Sequence, residues 1–354
     1  MKNQNIFSAI KKELDLFLKL GKSIAKSHPY IVVILMHEYF RTIYPNDPFI
    51  SETYDSDSAK NILKCLRNNN KIMLSFKNTG SYFRNSSSIR KYLGSFENKK
   101  KLKTQDLFGK LWNERMKSNY LNSRKVLIDS FKKNNFDYKF FKNKKILDMG
   151  CGSGRFTLAL ASLGAKKVIG VDLGAEGIEV AKKTAKLNHI KNVKFVEGSV
   201  LNLPFKNEEF DFVFCKGVLH HTGNLEKGLS EYYRVMKKSG MGFLYLYGSG
   251  GIFWNSRKKM RKVMKLIPLE YTIKVLDLIG MPSRRTIFVD SWYVPIEDHC
   301  KSKKIEKSLK KLKFNNIHRW KKGRKIELET VVFSKSLDSN ELWGEGELRY
   351  IVKK

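Results

Sequence analysis

Residues 145–154, read as Lys145-Ile146-Leu147-Asp148-Met149-Gly150-Cys151-Gly152-Ser153-Gly154, constrain the fold more than any other segment. The run opens as a buried strand and reaches an acid, Asp148. It then turns through Gly150, Gly152 and Gly154 into a helical run that starts near Phe156. Glycine tolerates the dihedrals of a tight strand-to-helix turn and lets backbone amides approach a ligand. A helix N-terminus just beyond favours electron-rich groups. Eighteen residues after Gly154, the apolar run Val168-Ile169-Gly170-Val171 ends on Asp172, where an acid can accept both hydroxyls of a ribose.

Two ligand classes compete for such a loop. A dinucleotide fingerprint, G-x-G-x-x-G, needs its third glycine at position 155, which is Arg155. Asp148 would also repel a pyrophosphate, since like charges disfavour each other. Beside a cation the same carboxylate is favourable. The acid, the glycines and the second acid together therefore point to a cationic adenosyl compound.

At these residues the chain resembles the class I S-adenosylmethionine-dependent methyltransferases, in particular the ubiquinone/menaquinone-biosynthesis C-methyltransferase type and related small-molecule enzymes. Three further segments carry the resemblance: Glu197 to Phe205, like the third-strand loop; Phe210 to His221, like the fourth strand and its Leu-His-His continuation; and Phe108-Gly109 with Trp112, like an F-G-x-x-W element. The likeness spans roughly residues 105 to 354. It implies a Rossmann-like, seven-stranded, mostly parallel sheet with helices on both faces, and S-adenosyl-L-methionine as cofactor. It also implies cofactor contacts from Asp148, Gly150, Cys151, Gly152, Gly154, Asp172, Leu173, Ser199, Val200, Cys215 and Lys216. One departure stands out: the family commonly places an acid at the position of Ser199 to receive the adenine amino group. A serine hydroxyl can accept that bond, and the Val200 amide can serve the ring.

The 354 residues suffice for one α/β core plus an extension. Cys65, Cys151, Cys215 and Cys300 form no metal-ligand spacing and no disulfide framework, so no metal site and a reducing cytoplasm are expected. The N-terminus lacks the pattern of a signal peptide, and the apolar run Ile31 to Met36 is too short to span a bilayer. A formal charge of +35 invites a nucleic-acid reading, but more than three lysines stand for every arginine and they are spread along the whole chain. Arginine would be enriched where phosphates are gripped bidentately. Both a lysine-rich bias on solvated faces and a phosphate-binding surface stay open.

Residues 1–104 read as a basic, mainly helical extension, with Phe7, Ile10, Leu14 and Phe17 at helical spacing and a break at His28-Pro29. Turns or loops are expected at Asn46-Asp47-Pro48, Asn68-Asn69-Asn70 and Ser86-Ser87-Ser88, and a charged linker at 98–103. Residues 105–354 form the expected methyltransferase domain, with alternating strands and helices from Lys145. Strands near Ile317 to Trp320 and Leu328 to Phe333 are expected to close the sheet as a hairpin. An insertion at 249–300 holds two helices. The first sets Met260, Val263, Met264 and Ile267 against a basic face of Arg257, Lys258, Arg261, Lys262 and Lys265. The second, Tyr271 to Ile279, stops at Gly280 with Pro282 beyond. The pair reads as a lid over the sheet's C-terminal edge, or as a basic surface for membranes or lipid-linked substrates.

Methyl transfer from a sulfonium is an in-line displacement, so alignment and exclusion of water carry much of the rate. A base is needed only where the acceptor must lose a proton. The resemblance puts the methyl near the end of the fourth strand, which makes His220 and His221 the catalytic candidates; structural burial of the pair is the competing reading. Trp254, Tyr293, Asp298 and His299 are further candidates for an acceptor pocket. Cys215 lacks the proline-cysteine context of pyrimidine C5-methylation, and Cys215-Lys216-Gly217-Val218 lacks the proline pair of amino-methylating nucleic-acid enzymes. The expected acceptor is an oxygen or carbon of a small-molecule or lipid-like metabolite, with weak contact to an anionic membrane surface. An RNA methyltransferase is the alternative, and a non-catalytic binding protein of the same fold a third class.

Overall fold

The computed structural model describes residues 2–44, 58–83, 107, 120–280, 285–323, 332–333 and 339–354. The turn at 46–48, the loop at 86–88, the linker at 98–103, the element at 108–112 and Pro282 lie outside the described residues. The chain divides into two compact units. One comprises residues 1–101, 250–294 and 325–344; the other comprises 102–249, 295–324 and 345–354.

The second unit is built on a seven-stranded sheet: β1 (Lys145–Met149), β2 (Lys167–Asp172), β3 (Val193–Glu197), β4 (Phe210–Lys216), β5 (Met236–Tyr247), β6 (Asn316–Arg319) and β7 (Glu347–Lys353). Their order is β3-β2-β1-β4-β5-β7-β6, with only β7 antiparallel to its neighbours. This is the expected Rossmann-like sheet. The order reverses between β1 and β4, so the carboxyl ends of these two strands flank the crevice where open α/β sheets receive ligands.

Period-two alternation sorts the strand residues onto the two faces. Leu147, Met149, Val213, Cys215, Leu244 and Leu246 pack with Leu229 and Tyr232 of helix Leu225–Arg234 and with Ile305 and Leu309 of helix Ser302–Lys311. Ile146, Phe212, Phe214 and Phe243 face the other way, against Leu127 and Phe131 of helix Tyr120–Lys133 and against Trp320. The closing hairpin differs from expectation in its partner. The strand at 316–319 pairs with β7 at the C-terminus, while Val332 and Phe333 are not strand and 324–331 lie outside the described residues. Tyr350 and Val352 are fully buried, so β7 supplies the apolar alternation that closing the sheet requires.

The first unit is helical. Pro29 opens helix Pro29–Ile43 after the first helix, Lys2–Ile24, as the His28-Pro29 break predicts. Phe7, Ile10, Leu14 and Phe17 are all buried. Asn68-Asn69-Asn70 is not a loop: it lies within helix Ser58–Phe83. Asn69 and Asn70 are buried there, and the Asn70 amide donates to the Glu13 backbone oxygen at 3.0 Å and to its carboxylate at 2.8 Å. Two tertiary partners override the turn propensity of asparagine. Helices Gly251–Met264 and Leu269–Leu278 belong to this unit. The basic face expected on the former is only partly solvated. Arg257 and Arg261 are buried, the first paired with Asp290 at 3.4 Å and the second donating to the Val294 carbonyl. Among the described residues no helix is long and apolar enough to cross a membrane.

Candidate active site

The glycine loop leaves β1 with positive φ at all three glycines: +82° at Gly150, +53° at Gly152 and +79° at Gly154. Helix Arg155–Ala161 follows directly, a residue earlier than expected. Packing also demands two of these glycines. A Cβ on Gly150 would lie 2.3 Å from Val218 Cγ2, and one on Gly154 would lie 2.7 Å from the Ala181 Cβ. The loop is therefore pressed between the segment after β4 and helix Ala175–Leu187 as well as being shaped for close approach.

Asp172, at the carboxyl end of β2, organises the loop. Its two carboxylate oxygens accept the Gly152 amide at 2.8 Å and the Gly174 amide at 2.9 Å. Burial raises its carboxyl from the ordinary value, and these amides oppose that rise. The Leu173 amide adds to the pull on the same carboxylate. Beside it Leu173 is 48% exposed, an apolar side chain held out at the edge of the loop.

Asp148 is 2% exposed, and its Oδ2 accepts the Thr157 hydroxyl at 2.6 Å. Burial, reinforced by the nearby Asp172 charge, pushes its carboxyl up to about 7 against the pull of the Thr157 bond. A buried carboxylate of this kind is costly alone and relieved by a cation. The pair of acids, one anchored by amides and one held in the interior, fits an adenosyl group that carries positive charge. Thr157 had no sequence signal beyond its place in the first turn of the helix.

The remaining predicted cofactor residues divide by what they can offer. The Cys151 and Cys215 thiols are buried, and burial pushes both well above their ordinary value. The Cys151 side chain instead fills the space over Gly170. Ser199 is half-buried, and its hydroxyl oxygen already accepts the Leu201 amide at 3.2 Å. Val200 is buried against the sheet core. Lys216, at the end of β4, holds its ammonium 4.4 Å from the Tyr245 ring centre and 5.6 Å from that of Phe156.

The two histidines follow on a single 3₁₀ turn, Leu219–His221, and both are buried. His221 Nδ1 lies 2.8 Å from the Ile296 carbonyl oxygen. A carbonyl only accepts, so Nδ1 carries the proton and the basic lone pair is on Nε2. His220 has the opposite arrangement: the Tyr247 amide donates to its Nδ1 at 3.4 Å, and its ring stacks on Tyr247 with centres 3.9 Å apart. The rings of the two histidines are 4.2 Å apart.

A buried polar group beside Lys216 has no signal in the sequence. The Tyr245 hydroxyl donates to Glu347 at 2.7 Å, Glu347 pairs with Arg349, and the Arg349 guanidinium sits 5.1 Å from the Tyr245 ring centre. β5 and β7 bring these side chains together across 102 positions of sequence, a separation that no local pattern reports. Of the proposed acceptor residues, Trp254 and Tyr293 are interior to the helical unit, where the Tyr293 hydroxyl donates to the Ile267 carbonyl at 2.9 Å. His299 pairs with Glu297 at 2.9 Å.

A parallel sheet with one antiparallel strand next to its edge, and a glycine loop flanked by Asp148 in β1 and Asp172 at the end of β2, define a Rossmann-like α/β domain. Residues 140–264 match the family described as "Methyltransferase domain". Among curated proteins, the chain is 35% identical to the uncharacterized methyltransferase YcgJ of Bacillus subtilis, over 27% of this chain and 38% of that protein. It is 35% identical to a demethylmenaquinone methyltransferase of Geobacillus sp., over 28% of this chain and 43% of the relative. With the ubiquinone biosynthesis O-methyltransferase of Pelagibacter ubique it shares 29% identity, over 58% of this chain and 78% of the relative. The chain thus spans about two-fifths of the first two relatives.

Proposed function

We propose that this chain is an S-adenosylmethionine-dependent methyltransferase whose acceptor is an oxygen or carbon of a small-molecule or lipid-like metabolite. The observation that carries the reading is the buried Asp148 carboxyl beside a glycine loop tied to Asp172. The names of the quinone-methylating relatives support a small-molecule acceptor over RNA.

In this reading Asp148 faces the cationic end of the cofactor, Asp172 takes the ribose hydroxyls, and Leu173, Ser199 and Val200 border the adenine. The backbone of Gly150, Cys151, Gly152 and Gly154 lines the approach, and Cys215 and Lys216 border it from β4. S-adenosylmethionine supplies an electrophilic methyl group on a sulfonium. The chain's part is to align the acceptor, exclude water and, for a hydroxyl or acidic carbon, remove a proton. His221 takes that role, because its Ile296 bond fixes the proton on Nδ1 and points the basic pair to Nε2. His220, stacked on Tyr247, positions it. The chain works in the cytoplasm.

The test is methyl transfer from labelled S-adenosylmethionine into separated quinone, lipid, sugar and RNA fractions by the purified chain. Label in a small-molecule or lipid fraction supports the reading. Label confined to RNA, or none in any fraction from a chain that binds the cofactor, refutes it.

A further inference from the structure

Helix Ser58–Phe83 carries a regular basic stripe on its outer side. Lys60, Lys64, Arg67 and Lys71 recur at i, i+4, i+7 and i+11, the spacing that holds side chains on one helical face. All four are exposed. The stripe borders a groove of about 600 Å³ against the first helix, Lys2–Ile24. Leu16, Leu63 and Leu74 line it too, and Leu16 and Leu74 are each 39% exposed.

Among the described residues one acid, Glu13, lines the groove, and it is already engaged. Glu13 accepts the Asn70 amide at 2.8 Å and stands 3.6 Å from the Arg67 Nε. Asn70 is buried beneath, so the acid is held against the floor of the groove and offsets only Arg67. Neither Lys64 nor Lys71 is paired with an acid among the described residues. The groove thus joins a net positive rim to exposed leucines.

We propose that this groove is a docking surface for an anionic lipid membrane, with the lysine stripe on lipid phosphates and the leucines at the boundary of the acyl region. The charge is complementary to phosphate, and the leucines distinguish the face from a purely solvated basic helix. A nucleic acid would use the lysines but leave the leucines without a partner. The inference is independent of the methyltransferase reading, because every residue it uses lies in the helical unit.

The test is co-sedimentation of the full chain with vesicles of phosphatidylcholine containing phosphatidylglycerol, compared with pure phosphatidylcholine. Each lysine near an anionic surface is worth about a fivefold gain in partitioning. Lys64→Gln/Lys71→Gln is therefore expected to lower partitioning about 25-fold. Lys183→Gln/Lys186→Gln, which removes the same charge from an exposed face of the other unit, is expected to change it by less than about threefold. Leu16→Ser/Leu74→Ser is expected to weaken binding at high salt, where the lysine contribution is screened. Circular dichroism establishes that each variant is folded. Equal losses in the two lysine pairs, equal binding to both vesicle types, or binding to RNA but not to vesicles would overturn the proposal.

Discussion

The charge state of Asp148 makes the affinity for a cationic cofactor depend on pH. A carboxyl that titrates at about 7 is ionised in roughly one molecule in eleven at pH 6 and in roughly ten in eleven at pH 8. If the ionised form binds the cation, affinity rises about tenfold across that interval, or about 1.4 kcal/mol. Folding carries the opposite dependence. Because the folded value is raised, Asp148 adds stability that is fully present below the ordinary carboxylate range and is lost as pH rises through about 7. The free chain should therefore grow less stable from pH 5 to pH 8, and the cofactor should restore more stability at the upper end. Asp148→Asn keeps an oxygen for the Thr157 hydroxyl and removes the charge. Calorimetric titrations of wild type and variant, at both pH values and in buffers of different ionisation enthalpy, read the effect directly. Titration of the cofactor's own ammonium is common to both proteins and drops out of the comparison. Wild type should release a proton on binding at pH 6, and the variant should bind more weakly at pH 8 without the tenfold slope. Parallel profiles for the two proteins would refute the argument.

Three further outcomes follow from the same geometry. His221→Ala should lower turnover about 100-fold or more while cofactor affinity changes less than about twofold; unchanged turnover of the true substrate rejects the base assignment. Gly150→Ala should destabilise the fold by about 2–4 kcal/mol in denaturant unfolding, from its positive φ and the Val218 overlap, and Val218→Ala in the same chain should recover only the steric part. Glu347→Gln should cost about 3–5 kcal/mol, because Arg349 is left buried beside a neutral partner; a melting temperature equal to wild type would show the pair to be dispensable.

The loop and the sheet were legible because both are local. Asp148, the three glycines and Asp172 lie at the ends of adjacent strands, and the alternation of Leu147 with Ile146 already encodes two buried faces. What the sequence did not show depends on distant partners. Asn69 and Asn70 have turn propensity, yet the Leu35 and Glu13 carbonyls hold them inside a helix. Arg257 and Arg261 look solvated on a helical wheel until Asp290 and the Val294 carbonyl are brought against them. The Tyr245–Glu347–Arg349 group exists only because β7 inserts between β5 and β6. For the histidines, sequence suggested the pair, while only the Ile296 and Tyr247 bonds separate their tautomers.

The glycine loop between β1 and helix Arg155–Ala161 is the proposed holder of S-adenosylmethionine. Equilibrium dialysis of the purified chain with labelled cofactor tests it most directly. One saturable site per chain is expected, weakened at least about tenfold by Asp172→Ala, which removes the acceptor of the Gly152 and Gly174 amides. A folded wild-type chain that retains no label, or one that retains it equally well without Asp172, would contradict it.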